Sequence, residues 1–560
     1  MAAVVVAFAY VLTIPHVWQC EGVDEIEYLG LAHSIERGHG FTLYGDPYPI
    51  YPPLYPALVS LVMRFDVTAW RAMYALNALM GLAGILYLAS WLRKKEGRAG
   101  WWAAWFSLTS YFAWSFSTRY LMAEPLFVLV SSVALVEASR CMAAERGGRR
   151  SVAAPLAVLL GAMTKVVNIA LTAALCAAAG SRWWATRRRR VLALGAAIAC
   201  AGFGFAAAWE WHGRQVAPHA AESYFRWALK FTGLSGERAG IVARDAGEGL
   251  GSDATFPVRV GALGFKLGQY VASFARMPAN AGPFAMFLWL VFLTGLAARA
   301  RRDPSSPFAW YVALSLIMFS LTRWASSYHR YLYPLTPLLY LFLFEGAACW
   351  KRALLDRQQK LAWLAVAAFG AAGILWTVSH GLAGEGHVGA ERMYVLAVGL
   401  ACAVSYAAMA VGGLCACSGL GPLRSALPFE RILAVALAVS VAHTSAIAVT
   451  RFKHTLANET LHARNLAGAV ACGQWVKENT SRDTVIAVSL PRLMSFLADR
   501  TAVGPGSHSA GYAILTGTLR NVPAFREDAE ARLKSEVEAS RARLVFSSGD
   551  AMVYKLRDMP

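Results

Sequence analysis

Apolar stretches of about twenty residues recur along most of this 560-residue chain, and short basic runs separate many of them. About 20 mostly apolar residues are enough for a helix to cross the roughly 30 Å hydrocarbon core of a bilayer. Charged residues make up only 16% of the chain, against about 25% in typical soluble proteins. The sequence therefore predicts a polytopic α-helical membrane protein.

The apolar stretches predict about thirteen membrane spans, at residues 1–18, 69–92, 101–118, 121–140, 152–165, 166–183, 191–209, 281–299, 307–323, 334–350, 361–380, 392–416 and 432–450. Span 1–18 is interpreted as uncleaved, because no small-residue cleavage site follows it. The pair 152–165 and 166–183 is short, and Lys165 lies between the two stretches. Lys165 is therefore predicted in a turn between two short helices.

The basic residues predict the orientation of the chain. Its net charge is +19, spread over runs between the spans rather than over one soluble domain, which argues against nucleic-acid binding. Basic loops stay in the cytoplasm. The loops that follow this rule lie at Arg93–Arg98, Arg140–Arg150, Arg182–Arg190, Arg299–Arg302, Lys351–Lys360 and near Arg424 and Arg431. We expect a protein of the cytoplasmic (inner) membrane with a cytoplasmic N-terminus.

This topology predicts two domains. Residues 1–450 form the membrane domain, with outer loops 19–68 and 210–280. Residues 451–560 form a small extracytoplasmic (periplasmic) α/β domain, with helices at 467–478 and 527–542 and strands at 484–489, 543–546 and 552–556. In the first outer loop we expect a helix over Glu25–Arg37 and a short surface helix beginning near Pro53.

Four carboxylates lie within seven residues just after the first span, at Glu21, Asp24, Glu25 and Glu27. Such a cluster is unusual in a chain so poor in charge. Acidic residues also favour the N-terminus of a helix, so a purely structural role is an alternative. The cluster is therefore either a solvated helix start or part of a catalytic site at the membrane surface.

Four segments in the same order resemble the GT-C glycosyltransferases, membrane enzymes that use polyprenyl-phosphate sugars. They include protein O-mannosyltransferases and aminoarabinose and lipopolysaccharide-core sugar transferases. The segments are Asp24-Glu25 with the Pro-Pro-Leu-Tyr-Pro run that follows, Ser117–Phe127, Gly161–Lys165 and His329–Pro337. The resemblance covers roughly residues 1–345 and is weak beyond them.

The resemblance implies a transfer reaction at the outer face of the membrane. Asp24 matches the family's proposed general base, with Glu25 beside it. The leaving polyprenyl phosphate requires cations, a need that arginine and lysine meet. The candidate phosphate ligands are Lys165, Arg330, Arg119 and His329. Glu124 is a candidate for contacting the acceptor or a divalent metal, Mg²⁺ or Mn²⁺.

Each charged residue also has a structural interpretation. Arg119 and Glu124 lie five residues apart at a span boundary and can pair with each other. Lys165 can extend to the membrane surface, and Arg330 can anchor the chain beside Tyr328, Tyr331 and Tyr333. These alternatives stay open at the level of sequence.

The expected function is inverting transfer of one sugar from a polyprenyl-phosphate donor to a lipid, glycan or protein acceptor. A transporter or flippase is the first alternative, because thirteen spans also suit transport. Transporters place polar, interrupted helices near the bilayer midplane, whereas the charges here gather at one edge. A polysaccharide polymerase or ligase is the second alternative, although such enzymes usually carry their working loop late in the chain.

Overall fold

The computed structural model describes most of residues 23–216, two segments before residue 356 and parts of the C-terminal region. Its described residues are 14–15, 23–43, 46–66, 69–144, 152–216, 267, 282–321, 328–355, 467–481, 483–488, 494, 497, 498, 500–503, 510–516, 527–548 and 551–556. The predicted spans 361–380, 392–416 and 432–450 lie outside these residues. Nearly all of span 1–18 and of loop 210–280 also lies outside the described residues.

The first outer loop contains two helices and a small hairpin. Helix α1 covers Val23–Glu36 and ends in a turn where Gly38 and Gly40 have φ of +77° and +76°, values that favour glycine. Strands β1 (Thr42–Leu43) and β2 (Asp46–Pro47) pair antiparallel, and helix α2 covers Leu54–Met63. Both helices predicted for this loop are present. Apolar side chains from both pack into one cluster.

The membrane region is a bundle of helices of unequal length. Its helices are α3 (Trp70–Thr109), α4 (Tyr111–Thr118), α5 (Glu124–Ala143), α6 (Ala153–Ala162), α7 (Asn168–Thr186), α8 (Arg189–Ala199), α9 (Phe205–Val216), α10 (Gly282–Arg302), α11 (Pro307–Leu321), α12 (Tyr328–Leu332) and α13 (Thr336–Leu355). A π-helical turn at Cys200–Gly204 joins α8 to α9, and a 3₁₀ turn at Tyr333–Leu335 joins α12 to α13.

Helix α3 contains the predicted span 69–92 and the first half of the predicted span 101–118. Its backbone breaks at Gly97, where φ is 56° and ψ is −122°. Gly100 then packs against the backbone of Leu92 and Arg93, so the chain turns back at this point. The second span is also interrupted at Ser110, whose hydroxyl caps α4. A loop of basic residues therefore separates the two spans, as predicted from the sequence.

Within the described residues, four helical stretches are long and apolar enough to cross a membrane. They are Trp70–Thr109, Glu124–Ala143, Arg189–Val216 and Arg330–Cys349. Shorter apolar helices occur at Leu54–Met63, Ala153–Ala162 and Pro307–Ser320. The total of thirteen spans stays a prediction.

A cluster of charges joins three of these helices. Arg299 on α10 forms ion pairs with Glu345 on α13 and, at 2.7 Å, with Glu96 on α3. Arg302 also contacts Glu345 at 3.3 Å. Arg299 therefore reaches Glu345 from a neighbouring helix. These contacts lie in the part of the bundle where the basic runs are found.

The C-terminal region contains a five-stranded mixed sheet. Helix α14 covers 467–479, and helix α15 covers Glu527–Ala539. The strands are β3 (Val485–Val488), β4 (Thr501–Val503), β5 (Tyr512–Leu515), β6 (Arg543–Ser548) and β7 (Ala551–Lys555). The strand order is β4-β3-β5-β7-β6, with parallel pairing of β3 to β4 and β5. The predicted helices and three strands are present. The short strands β4 and β5 were missed, because the residues around them lack a clear alternation of apolar and polar side chains.

Candidate active site

Four charged side chains that are far apart in the sequence meet in the fold. Arg330 on α12 donates a hydrogen bond from Nη1 to Oδ2 of Asp24 on α1, at 2.6 Å. The same guanidinium donates from Nε to Oε1 of Glu124. Lys165 donates from Nζ to that same Glu124 oxygen, at 2.6 Å. The structure thus brings together Asp24, Glu124, Lys165 and Arg330, which we name the carboxylate–cation cluster.

The cluster is closed on one side and open on the other. The Glu124 side chain is 1% exposed and that of Lys165 is 10% exposed, whereas Asp24 is 29% exposed. The second carboxylate oxygen of Glu124, Oε2, is buried and has no hydrogen-bond partner among the described residues. A buried carboxylate oxygen without a donor is costly. The cluster therefore has an accessible carboxylate at Asp24 and an unused acceptor at Glu124.

Glu124 is held at the start of a helix. It is the first residue of α5, with Pro125 next to it, a position where the missing proline N–H carries no penalty. The partial positive charge at a helix N-terminus stabilises a carboxylate there. Glu124 pairs with Lys165 and Arg330, so its partners come from distant segments. The local pairing with Arg119 considered for the sequence is not needed to neutralise it.

Lys165 projects from a tight turn between α6 and α7. Its backbone N–H bonds to the carbonyl of Gly161 at 2.9 Å, and the Thr164 hydroxyl bonds to the carbonyl of Leu160. The first outer loop is attached to this turn, because the N–H of Leu54 donates to the carbonyl of Met163 at 2.8 Å. The Lys165 ammonium also lies 5.8 Å from the centre of the Tyr331 ring. Lys165 therefore points into the protein rather than to the membrane surface.

The segment around Arg330 is anchored by its aromatic neighbours. The hydroxyl of Tyr333 is 2.6 Å from that of Ser117 on α4, and both residues are buried. The Tyr331 ring stacks on Phe319 with a centroid distance of 5.4 Å. Pro334 and Pro337 interrupt regular helix geometry, which explains the short 3₁₀ turn before α13. These contacts fix the position of the guanidinium.

Two opposing effects act on Asp24. Burial raises the pKa of this carboxyl. The adjacent Arg330 guanidinium, together with Lys165 and Tyr51, lowers the pKa by more than burial raises it. The net pKa lies below the ordinary value of 3.8. Burial also raises the pKa of Tyr51, so its hydroxyl keeps its proton. Asp24 is therefore an ionised carboxylate at neutral pH.

Glu25 has a different environment from its neighbour. Its side chain is fully buried, and Oε1 accepts a hydrogen bond from the backbone N–H of Leu121 at 2.9 Å. Leu121 lies three residues before Glu124. The contact therefore joins the helix that carries Asp24 to the turn that carries Glu124.

The two remaining candidate phosphate ligands are Arg119 and His329. Arg119 is the C-terminal cap of α4 and is partly buried. His329 lies on α12, next to Arg330, but its side chain is outside the described residues. The contribution of Arg119 and His329 to donor binding stays a prediction.

The described part of the cluster does not form a site for a divalent metal. Among the described residues, no group of three or more His, Cys, Asp and Glu side chains is close enough together to hold one. The carboxylates of Asp24 and Glu124 are already engaged by Arg330 and Lys165. A metal ion between them would be placed against two fixed positive charges, which opposes binding.

Sequence reasoning missed two polar residues that support the cluster. Tyr51 helps to lower the pKa of Asp24 and lies directly before the Pro-Pro-Leu-Tyr-Pro run. Asn77 is a buried amide on α3 that accepts from the Tyr55 hydroxyl and donates to the carbonyls of Tyr120 and Met122. A single asparagine within an otherwise apolar span was the available signal.

Comparison with known proteins identifies the fold. No protein-family model and no curated protein sequence matches the chain. Among solved structures, ArnT from Cupriavidus metallidurans in the apo state aligns with a TM-score of 0.57 and 16% identity, over 100% of this chain and 97% of that one. The chain has the GT-C fold.

A second structure of this ArnT, bound to undecaprenyl phosphate, aligns with a TM-score of 0.54 and 16% identity, over 99% of this chain and 97% of that one. The resemblance stated from the sequence motifs is thereby confirmed for the fold. The alignment with the apo structure covers 100% of the chain, whereas the motifs that carry the resemblance lie within roughly the first 345 residues.

Proposed function

We propose that this protein is an inverting glycosyltransferase that moves a sugar from a polyprenyl-phosphate donor to a lipid, glycan or protein acceptor. The observation that carries the proposal is the carboxylate–cation cluster, in which one arginine contacts both Asp24 and Glu124 beside Lys165. It contains a carboxylate for a base and two cations for a phosphate. A protein of the same fold bound to undecaprenyl phosphate supports this donor class.

The two cations suit the leaving group. When the bond between the sugar and its phosphate breaks, negative charge develops on the phosphate oxygens. Fixed positive groups in a water-poor site stabilise such charge strongly. Carboxylates hold Arg330 and Lys165 in place. Both cations are therefore already close to the place where a phosphate would bind.

Donor binding changes the environment of Asp24. A phosphate competes with Asp24 for the Arg330 guanidinium, because both are anions that arginine binds in the same way. When Arg330 turns to the phosphate, the interaction that lowers the Asp24 pKa weakens. The carboxylate then becomes a stronger base at the moment when the donor is in place.

Transfer proceeds as a single displacement. Asp24 takes the proton of the acceptor hydroxyl or amine, and the acceptor atom forms a bond to the anomeric carbon. The bond from that carbon to the phosphate oxygen breaks, and its electron pair leaves with the polyprenyl phosphate. Retention would require a nearby carboxylate as nucleophile. Glu124 is a weak nucleophile for this task, because the positive charges of Arg330 and Lys165 both act on its carboxylate.

Glu124 and Glu25 have supporting roles in this scheme. The unpartnered Oε2 of Glu124 accepts a hydrogen bond from the bound sugar or acceptor. Glu25 is a positioning residue, because its contact to the N–H of Leu121 fixes α1 against the turn before α5. Arg119 and His329 are secondary candidates for the phosphate.

The site belongs to the extracytoplasmic face in this proposal, and the N-terminus is cytoplasmic. The cluster lies at the start of α5, whereas Arg140 and the basic run after it lie at its end. The proposed C-terminal domain, 451–560, is on the same side as the site. Ala469 and Ile486 from that region share an apolar cluster with Ile26 and Val59 of the first outer loop.

One experiment separates transfer from transport. Purified full-length protein is given a polyprenyl-phosphate sugar with a radiolabelled sugar, together with membrane extract. We expect label in an acceptor fraction, and free polyprenyl phosphate in equal amount. If liposomes containing the protein accumulate solute while no label is transferred, the transporter alternative is correct. If label enters only long polymers, the polymerase alternative is correct.

A further inference from the structure

A surface cavity lies at the other end of α7 from Lys165. Its volume is about 590 Å³, and it is lined by Trp183, Arg187, Arg189, Leu192, Ala193 and Ala196. Helix α7 separates it from the Lys165 turn, because the 18 residue steps from Asn168 to Thr186 span about 27 Å along the helix. The cavity is therefore distinct from the candidate active site and lies toward the opposite face of the bundle.

The residues that line the cavity run from charged to apolar in chain order. Arg187 and Arg189 lie at the turn between α7 and α8, where the run of four arginines begins. Leu192, Ala193 and Ala196 follow on one face of α8, at helical spacing, and all three are exposed. From Arg189 to Ala196 the helix rises about 10 Å. This order matches an amphiphile with an anionic head and an apolar chain.

The guanidinium of Arg187 is already positioned. It lies 5.2 Å from the centre of the Trp183 ring and 4.2 Å from that of Trp184. Its backbone is left-handed, with φ of 52°, which ends α7 and turns the chain into α8. Within the described residues, no carboxylate forms an ion pair with Arg187 or Arg189. An anion could therefore approach both guanidinium groups without displacing a carboxylate of the described residues.

We propose that this cavity binds one anionic phospholipid of the bilayer, with its phosphate on Arg187 and Arg189 and an acyl chain along Leu192, Ala193 and Ala196. Basic pockets beside membrane helices bind anionic headgroups in this way. The distance from the candidate active site favours a phospholipid over the polyprenyl phosphate. A polyprenyl phosphate used by the enzyme has its phosphate at the opposite membrane surface.

The test measures lipid binding by the full-length protein, using native mass spectrometry in detergent. Phosphatidylglycerol is compared with phosphatidylcholine carrying the same acyl chains. We expect one tightly held phosphatidylglycerol per protein and weaker phosphatidylcholine binding. Each basic residue contributes about a factor of five to anionic-lipid binding, so R187Q/R189Q weakens it roughly thirtyfold.

The double variant R182Q/R190Q is the matched control. It removes two charges from the same basic loop, Arg182–Arg190, but neither residue lines the cavity. We expect it to bind phosphatidylglycerol within about fivefold of the wild type. Equal losses in both double variants overturn the proposal, because they show general surface attraction only. Equal binding of the two phospholipids overturns it as well.

Undecaprenyl phosphate is the third ligand in the test. If it binds the wild type more tightly than phosphatidylglycerol and R187Q/R189Q removes that binding, the assigned occupant is wrong. The measurement does not involve sugar transfer, so its result is independent of the proposed function. We expect R187Q/R189Q to transfer sugar at the wild-type rate, since the site holding Lys165 is at the other end of α7.

Discussion

Arg330 Nη1 and Asp24 Oδ2 are 2.6 Å apart, although 306 positions separate the two residues in the chain. The pair joins the first outer loop to the segment before α13. Because Arg330 also contacts Glu124, a single guanidinium connects both carboxylates of the cluster. The proposed mechanism depends on this arginine changing partners when the donor phosphate arrives.

Replacing Arg330 by lysine tests that dependence. A lysine keeps the positive charge but cannot present two separate N–H groups in a fixed plane. Loss of one charge-assisted hydrogen bond costs about 1.5–3 kcal/mol, or roughly ten- to hundredfold in kcat/KM for the donor. Steady-state kinetics with varied donor concentration measures the change. An unaltered kcat/KM in R330K argues against the phosphate role of this residue.

The pH dependence of transfer should differ between free and donor-bound protein. Burial raises the pKa of Asp24, but Arg330 lowers it to below the ordinary value in the free protein. Donor phosphate draws Arg330 away, so the Asp24 pKa rises in the complex. The acidic limb of kcat/KM, which reports the free enzyme, therefore lies at lower pH than the acidic limb of kcat. Coincident acidic limbs contradict the exchange of partners.

The lowered pKa of Asp24 in the free protein also affects the stability of the folded state. A carboxyl group whose pKa is lower in the folded state stabilises that state at pH values above its ordinary pKa. This stabilisation declines as the pH falls through the lowered value. We expect the wild type, but not Asp24→Asn, to lose this contribution at acid pH. Thermal unfolding in detergent as a function of pH measures the difference.

Glu25 should respond to substitution as a positioning residue. Glutamine keeps a carbonyl oxygen that can accept the N–H of Leu121, whereas alanine leaves that buried N–H without a partner. An unsatisfied buried donor costs about 1–3 kcal/mol. We expect E25A to lose stability and transfer, and E25Q to recover most of both. If E25Q is as inactive as E25A while remaining folded, the charge of Glu25 is required and it acts in the chemistry.

Replacing Arg299 tests the stability of the helix bundle away from the carboxylate–cation cluster. It pairs with Glu96 and Glu345 from two other helices, and its side chain is 9% exposed. Removing one partner of a buried ion pair costs about 3–5 kcal/mol, because the other charge is left unpaired. R299Q should lower the unfolding temperature markedly while folded molecules transfer sugar at the normal rate. Normal stability of R299Q indicates that water solvates Glu96 and Glu345.

The sequence predicted the cluster's members better than their pairing. Apolar stretches and basic runs located most described helices, and the same topology placed Asp24, Glu124, Lys165 and Arg330 at one membrane face. Which charge contacts which depends on helix packing, which local patterns do not encode. Lys165 was compatible with the membrane surface until the turn after α6 showed it bonded to Glu124.

The support around the cluster was less predictable still. Asn77 and Tyr51 contribute through contacts with backbone carbonyls and side chains from other segments. Their identities carry no motif that indicates those partners. In the C-terminal sheet, β3 was predicted because Val485–Val488 is a continuous apolar run. Strand β4 has only three residues, and its place at the sheet edge follows from pairing with β3.

Asp24→Asn is the most direct test of the account. Asparagine has nearly the same shape and keeps an oxygen for Arg330, but it cannot accept the acceptor's proton. General-base catalysis contributes about 10²- to 10⁴-fold, so we predict that kcat for sugar transfer falls by that factor. Binding of the polyprenyl-phosphate donor and the yield of folded protein should be retained. Full transfer activity in folded Asp24→Asn would contradict the assignment of Asp24 as the base.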